Sequence, residues 1–325
     1  MWIFQKRIEM KPVEYNFQHY VDAIRNSFWT HTHYSYTSDI QDYKVNMTDI
    51  EREVAKRCML SISQVKVSVK SRWSDIHKTL PKPEIASVWI TFWFNEVVHA
   101  DFYSHLLEQL WLNDEFSKIK DIPVLQERVN YLQECLASKD EWREWFIKAL
   151  IYFSLFIENV SLFSQFLIMM SYKTKNNMLK WMYNWILAST KEEDLHASFW
   201  AELINIIREE CPELITPELW VEVLEMAHTA LYSECDIIDW IFEDWELNWV
   251  SKYEIKEYIK YRCFQWIKKI WLIKNWYKMV YDESVVEKLS WFEDTLKTTT
   301  HADFFDIKSP NYSKNLQTFD ADDLF

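Results

Sequence analysis

An all-α bundle of long helices is the fold class this sequence predicts, and three observations carry the prediction. From about Pro12 to Tyr281 apolar residues recur at spacings of three and four, and the alternation expected of half-buried strands is nearly absent. Several of these periodic runs are longer than about 20 residues, which favours a long-helix bundle over a globin-like packing. The runs are separated by breaks at Pro81 to Pro83 and at Asn113 to Asp114.

In chain order, the predicted helices begin with about Asp49 to Lys70 and then Pro83 to Leu110, which opens directly after the proline break. The next runs from Asp121 to Ala137, with Pro123 in its first turn, where the missing N–H has no helical partner to lose. A single helix is expected from Asp140 to Tyr172. Its stretch Ile147 to Met170 is apolar enough to raise a membrane span, but Glu158, Asn159 and Gln165 lie inside it, so a buried bundle helix is the better reading. Helices at Met178 to Glu209, Pro217 to Glu243 and Ser251 to Ile270 complete the set. The domain is expected to span residues 1–305. The remainder, 306–325, ends in FDADDLF without helical period and reads as a flexible acidic tail with aromatic anchors.

Composition excludes several classes. At 49% hydrophobic and 26% charged, the chain is neither disordered nor collagen-like. Its five cysteines, Cys58, Cys135, Cys211, Cys235 and Cys263, are odd in number and widely spaced. They support neither a disulfide framework nor a cysteine zinc site, and they suit a reducing cytoplasm. A net charge of -14 argues against nucleic acid or an anionic membrane as partner. The N-terminal residues MWIFQKRIEMKP contain no signal-peptide apolar region.

One anomaly bears on the residues themselves. Average usage predicts roughly 23 glycines in a chain of this length, but there are none, and there are 19 tryptophans. Trp111 follows the amphipathic run HLLEQL, where a left-handed helix cap calls for glycine, and Trp245 and Trp249 punctuate a polar turn. The reading that accounts for both counts is a source in which UGA encodes glycine. It predicts UGA at Trp111, Trp245 and Trp249 and UGG at Trp29.

Two of the long helices contain Glu-x-x-His, as Glu96 with His99 and Glu193 with His196. That spacing puts a carboxylate and an imidazole on one helical face, one turn apart, where both reach a single metal. Between them lies Glu158 in the most apolar segment, where an unpaired carboxylate costs several kcal/mol and needs a cation or a proton. Ferritin-like dimetal carboxylate proteins use two single carboxylates and two such pairs on four helices. The first single carboxylate should stand in MLSISQVKVSVKSRW, but that stretch offers none, and Lys66 occupies the place.

With these motifs, the chain resembles the small, radical-generating subunit of class I ribonucleotide reductase over nearly its whole length. The blocks that carry the resemblance are VDAIRNSFWTH, SQVKVSVKSRWSDIHKTLPKPEI, FNEVVHADFYSHLLEQL, LFIENVSLFSQF, KEEDLHASFWAEL and THADFF. It implies a ferritin-like homodimer whose metal ligands fall on Lys66, Glu96, His99, Glu158, Glu193 and His196, with Lys66 the one departure. It also implies a radical at Tyr103 and radical transfer through His99, Trp29, Glu192, where aspartate is usual, and Tyr312. Trp111, Trp200, Trp245 and Trp249 fall where relatives tend to have glycine. The implied partners are a large catalytic subunit, docked by the FDADDLF tail, and a flavodoxin-like activase.

Replacing a carboxylate with an ammonium adds two positive charges to the site, as much as one divalent ion. The expected cofactor is therefore dinuclear iron or manganese with Lys66 deprotonated or turned away, a single ion, or no metal at all with Lys66 salt-bridged to the glutamates. Two other functions stay open on the residues alone: a stand-alone ferritin-like oxidase, and a decayed ferritin-like binding protein.

Overall fold

The computed structural model describes residues 3–7, 14–32, 36–72, 79–136, 142–270 and 278–297, and all of its regular elements are helical. Tyr312, the THADFF block and the FDADDLF tail lie outside the described residues.

The core helices are α1 (Gln18–Asn26), α2 (Thr37–Gln41), α3 (Asp49–Arg72), α4 (Pro83–Gln109), α5 (Asn113–Ser117), α6 (Pro123–Leu136), α7 (Trp142–Ile151), α8 (Phe163–Asn176) and α9 (Lys180–Glu210). Behind them stand α10 (Pro217–Phe242), α11 (Lys252–Lys269), α12 (Glu283–Lys288) and α13 (Ser290–Lys297). Short π-helical turns, Asp42–Asn46 and Tyr152–Ile157, follow α2 and α7. Helix α3 packs against α4 and α8, α8 against α9, and α9 against α7, so these five helices share one interior. No described helix is long and apolar enough to cross a membrane.

The ends of these helices follow local chemistry. Pro83 and Pro217 occupy first turns, and the Thr216 hydroxyl accepts from Leu219 N at 3.2 Å. Ser251 and Glu254 form a reciprocal capping box that opens α11. The α9 terminus is capped from a distance: the Asp39 carboxylate on α2 accepts from Trp181 N at 3.3 Å and Met182 N at 2.6 Å.

The predicted single helix from Asp140 to Tyr172 is two helices. Regular winding stops at Ile151, continues as the π turn Tyr152–Ile157, and resumes only at Phe163. The wider turns are held by Ser161 N to Phe156 O at 3.0 Å, with the Asn159 side chain donating to Ser154 O at 3.1 Å. Local interruptions of this kind frequently mark functional sites, and this one falls at Glu158.

Trp111 stands where the glycine argument put a left-handed residue, with φ 58°. Leu112 N donates to Leu107 O at 2.8 Å and Trp111 N to Glu108 O at 3.1 Å, the two bonds of a Schellman cap. The indole is 64% exposed, with Lys44 Nζ 3.1 Å from its centroid. At the second polar turn the left-handed residue is Glu243, φ 48°, rather than Trp245 or Trp249. Trp200 lies within α9, buried against Trp89 and Phe199, so its backbone asks for no glycine. A left-handed L-residue costs about 1–2 kcal/mol and an exposed cation–π contact returns about 0.5–1 kcal/mol. Trp111→Gly is therefore expected to stabilise the fold by about 1 kcal/mol in chemical denaturation. An unchanged or lower midpoint would count against a glycine requirement there.

Candidate metal centre

Lys66 on α3, Glu96 and His99 on α4, Glu158 in the turn before α8, and Glu193 and His196 on α9 are each at most 1% exposed. The two Glu-x-x-His pairs lie across the interior from one another, and each imidazole reaches the glutamate of the other pair. His99 Nδ1 is 3.0 Å from Glu193 Oε1, and His196 Nδ1 is 3.4 Å from Glu96 Oε1.

Glu96, Glu158, Glu193 and His196 each present one ligand atom, and these four atoms lie within 4.8 Å of one another. Neither Glu158 oxygen has a hydrogen-bond partner. Burial, reinforced by Glu193 and Glu96, pushes the Glu158 carboxyl well above the usual carboxylate range. A carboxyl so placed holds a proton unless a cation arrives to balance it. Three carboxylates and an imidazole form a donor set that suits a divalent transition ion such as manganese or iron.

Lys66 is not turned away from the site. Its ammonium donates to Glu96 Oε2 at 2.9 Å and Oε1 at 3.3 Å, donates to Glu193 Oε1, and stands 3.2 Å from His99 Nδ1. Burial works against its charge, but Glu193 and Glu96 outweigh burial and raise its pKa above the usual lysine value. Glu96 responds in kind: burial opposes its ionisation, yet Lys66 and His99 hold its carboxyl well below the ordinary range.

On the other side of the His99 ring lies a second buried cluster. Glu192 accepts from Trp29 Nε1 at 3.0 Å on both oxygens, from Asn95 Nδ2 at 3.0 Å, and pairs with His99 Nε2 at 2.7 Å. The longer side chain, where aspartate was expected, is accommodated within this arrangement. Trp29 itself is 1% exposed and packs on His99 and Trp185 at centroid distances of 5.7 and 4.8 Å. Tyr103, one turn beyond His99, is buried against Phe102. Burial raises its phenol above the ordinary tyrosine value, with Lys66 and the Ser189 hydroxyl opposing.

The family described as "Ribonucleotide reductase, small chain" matches residues 7–284. The chain belongs to that family. Among curated relatives it is similar to the "Probable ribonucleoside-diphosphate reductase small subunit 048L" of Invertebrate iridescent virus 3, 27% identical over 97% of this chain and 86% of the relative. Among solved structures it is similar to the dimanganese(II)-NrdF of Streptococcus sanguinis, with TM-score 0.72, 17% identity, and coverage of 88% of this chain and 100% of the other. It is also similar to the ribonucleotide reductase Rnr4 homodimer of Saccharomyces cerevisiae, with TM-score 0.67, 16% identity, and coverage of 89% and 90%. Membership sets aside the stand-alone oxidase and the decayed binding protein in favour of a reductase small chain.

Two residues of this small chain's centre escaped the sequence reading. Asn95 immediately precedes Glu96 and is buried at 4% exposure, and its spacing of four from His99 was the available signal. Arg262, on α11, donates to Asn159 O beside Glu158 and to the Asp194 carboxylate beside Glu193. A residue 103 positions from its acceptor leaves no local pattern to find.

Proposed function

We propose that this small chain holds one divalent ion per protomer, stores a one-electron oxidant at Tyr103, and passes it to a large catalytic subunit that reduces ribonucleoside diphosphates. The observation that carries the reading is the Lys66 ammonium, bound by Glu96 and Glu193 and next to His99 Nδ1, which takes up the charge and the contacts of a second ion. Glu96, Glu158, Glu193 and His196 remain to hold the first. An iron or manganese ion there would supply one-electron oxidation beside Tyr103.

The chain's own residues handle the proton and the path. Tyr103 is buried and keeps its phenol proton, so losing an electron requires losing that proton as well, and refilling the radical requires both. His99, Glu192 and Trp29 form a continuous buried set of contacts leading away from the centre. The carboxylate of Glu192 fixes the edges of both rings, and a fixed geometry of this kind favours repeated transfer without reorganisation. Tyr312 and the FDADDLF tail would continue the route to the large subunit, and a flavodoxin-like activase would supply the initial oxidation. The exposed Ile90, Trp93 and Phe94 on α4, beside exposed Phe28, support assembly with a second copy. The free cysteines among the described residues suit work in the cytoplasm.

The test is metal quantification and electron paramagnetic resonance on one sample loaded with Mn(II) or Fe(II). The expected result is one equivalent of metal per chain and, after oxidation, a tyrosyl-type signal that is lost in Tyr103→Phe. Two equivalents in the wild type would overturn the one-ion reading. A radical with no metal would replace it by a centre in which Lys66 alone serves as the cation.

A further inference from the structure

We infer that Arg262 is a positioning residue of the metal centre: its guanidinium ties the turn carrying Glu158 to the helix carrying Glu193, and so sets how the two carboxylates face one another. The inference rests on the reading of Glu158 and Glu193 as ligands of one ion.

The need for such a tie comes from the break in the helix. A ligand in a continuous helix is placed by its own backbone ladder, as Glu96 and Glu193 are on α4 and α9. Glu158 lacks that support. It follows a π turn and precedes a non-helical turn that lasts until Phe163. Its own amide makes only a 3.4 Å bond to Phe153 O. Neither of its carboxylate oxygens is tethered by a hydrogen bond. Bonds inside the segment, from Val160 N and Ser161 N to Phe156 O and from Asn159 Nδ2 to Ser154 O, hold the turn locally, but none of them ties it to α9.

Arg262 reaches both of the residues that follow these two ligands in sequence. From α11, Nε donates to Asn159 O at 3.0 Å and Nη2 donates to Asn159 Oδ1 at 3.2 Å, so the fork grips both the backbone and the side chain next to Glu158. The same Nη2 donates to Asp194 Oδ1 at 3.0 Å, next to Glu193. The Cζ atom lies 3.3 Å from the ring centroid of Phe163, the first residue of the resumed helix. On its far edge, Nη1 donates to Glu293 Oε1 at 3.0 Å, and Tyr258 OH donates to that same oxygen at 2.6 Å. The guanidinium is 3% exposed, and this geometry uses its planar, multiply donating fork. A lysine ammonium has no such fork and cannot grip Asn159 and Asp194 in the same way.

Groups that orient metal ligands without touching the metal typically change metal affinity about 10- to 100-fold when removed. Arg262→Lys and Arg262→Met are compared with the wild type and with Glu293→Gln, which removes the negative charge at the far edge of the guanidinium while leaving Asn159 and Asp194 in place. Affinity for Mn(II) is read by competition with a chelator, the symmetry of the bound ion by its electron paramagnetic resonance spectrum, and backbone opening by hydrogen exchange. The expected result is a loss of Mn(II) affinity of about 10- to 100-fold and an altered Mn(II) spectrum in both Arg262 variants. Glu293→Gln is expected to keep the wild-type affinity and spectrum whatever its melting temperature. A loss of stability without a change in affinity or spectrum in folded Arg262→Lys would overturn the inference. If Arg262→Met does not fold, Arg262→Lys decides. If the wild type binds no Mn(II), the one-ion reading fails separately, and hydrogen exchange of the metal-free protein decides the tie. In that case exchange of amides 158–162 about tenfold faster in Arg262→Lys than in the wild type supports it, and unchanged exchange there overturns it.

Discussion

Lys66→Glu is expected to raise the bound divalent metal from one ion per chain to two. The ammonium of Lys66 now satisfies Glu96 and Glu193 and lies 3.2 Å from His99 Nδ1. Exchanging it for a carboxylate removes a cation and supplies a ligand in one step. Without metal, that variant gathers its acidic groups in a buried interior, where an uncompensated buried charge costs about 3–5 kcal/mol. Its melting temperature should therefore depend far more steeply on Mn(II) than that of the wild type. Lys66→Met separates the two effects, because it removes the cation without adding a ligand. It should be destabilised in chelator by a similar amount and rescued by metal, while its capacity for a second ion stays below that of Lys66→Glu. Elemental analysis paired with thermal unfolding, with and without Mn(II), reads both. A metal content that stays at one ion in Lys66→Glu, together with a Lys66→Met variant indifferent to chelator, would show that the ammonium does not stand in for an ion.

The parts of this centre that could be read in the sequence are those fixed by one element at a time. Glu96 with His99 and Glu193 with His196 are each set by the rise of a regular helix, so their spacing alone put them on one face. Trp111 was legible for a similar reason, since a Schellman cap and the chirality of an L-residue are both local. The break at Glu158 was not. A π turn widens the winding while keeping the residues apolar, so the periodic pattern runs across it without a visible gap. Glu158 was found by its charge in an apolar run, and the backbone around it was predicted wrongly. Lys66 was visible as a departure, but its geometry depends on side chains from α4 and α9 that pattern analysis does not orient. The left-handed Glu243 likewise follows from how α10 meets the turn before α11, and Arg57 joins it from α3.

Trp29→Phe is expected to leave metal content and the tyrosyl signal intact while lowering ribonucleotide reduction by about a thousandfold, or ~4 kcal/mol on the barrier. Phenylalanine keeps an aromatic ring on His99 and Trp185 but removes both the indole N–H and a ring that is readily oxidised. Of the three groups on Glu192, Trp29 is the one that leads away from the centre, since Asn95 and His99 belong to α4, the helix that also carries Glu96. Asn95→Ala therefore serves as the matched loss of one hydrogen bond to Glu192, with an expected effect of about tenfold for a net bond worth roughly 1.5 kcal/mol. Glu192→Asp supplies the conservative test, because the shorter carboxylate can serve the same three donors if α9 shifts slightly, so it should retain much of the turnover that Glu192→Ala loses. The essential comparison is between turnover and radical content in the same preparation. If turnover falls only in proportion to a lost radical signal, Trp29 supports the centre as packing. If turnover survives Trp29→Phe with the radical intact, the oxidant leaves Tyr103 by another route. Only a stored radical that can no longer be used would identify Trp29 as the exit, since the same indole packs on His99 and bonds Glu192, and loss of either structural role would disturb the centre before it disturbed the partner.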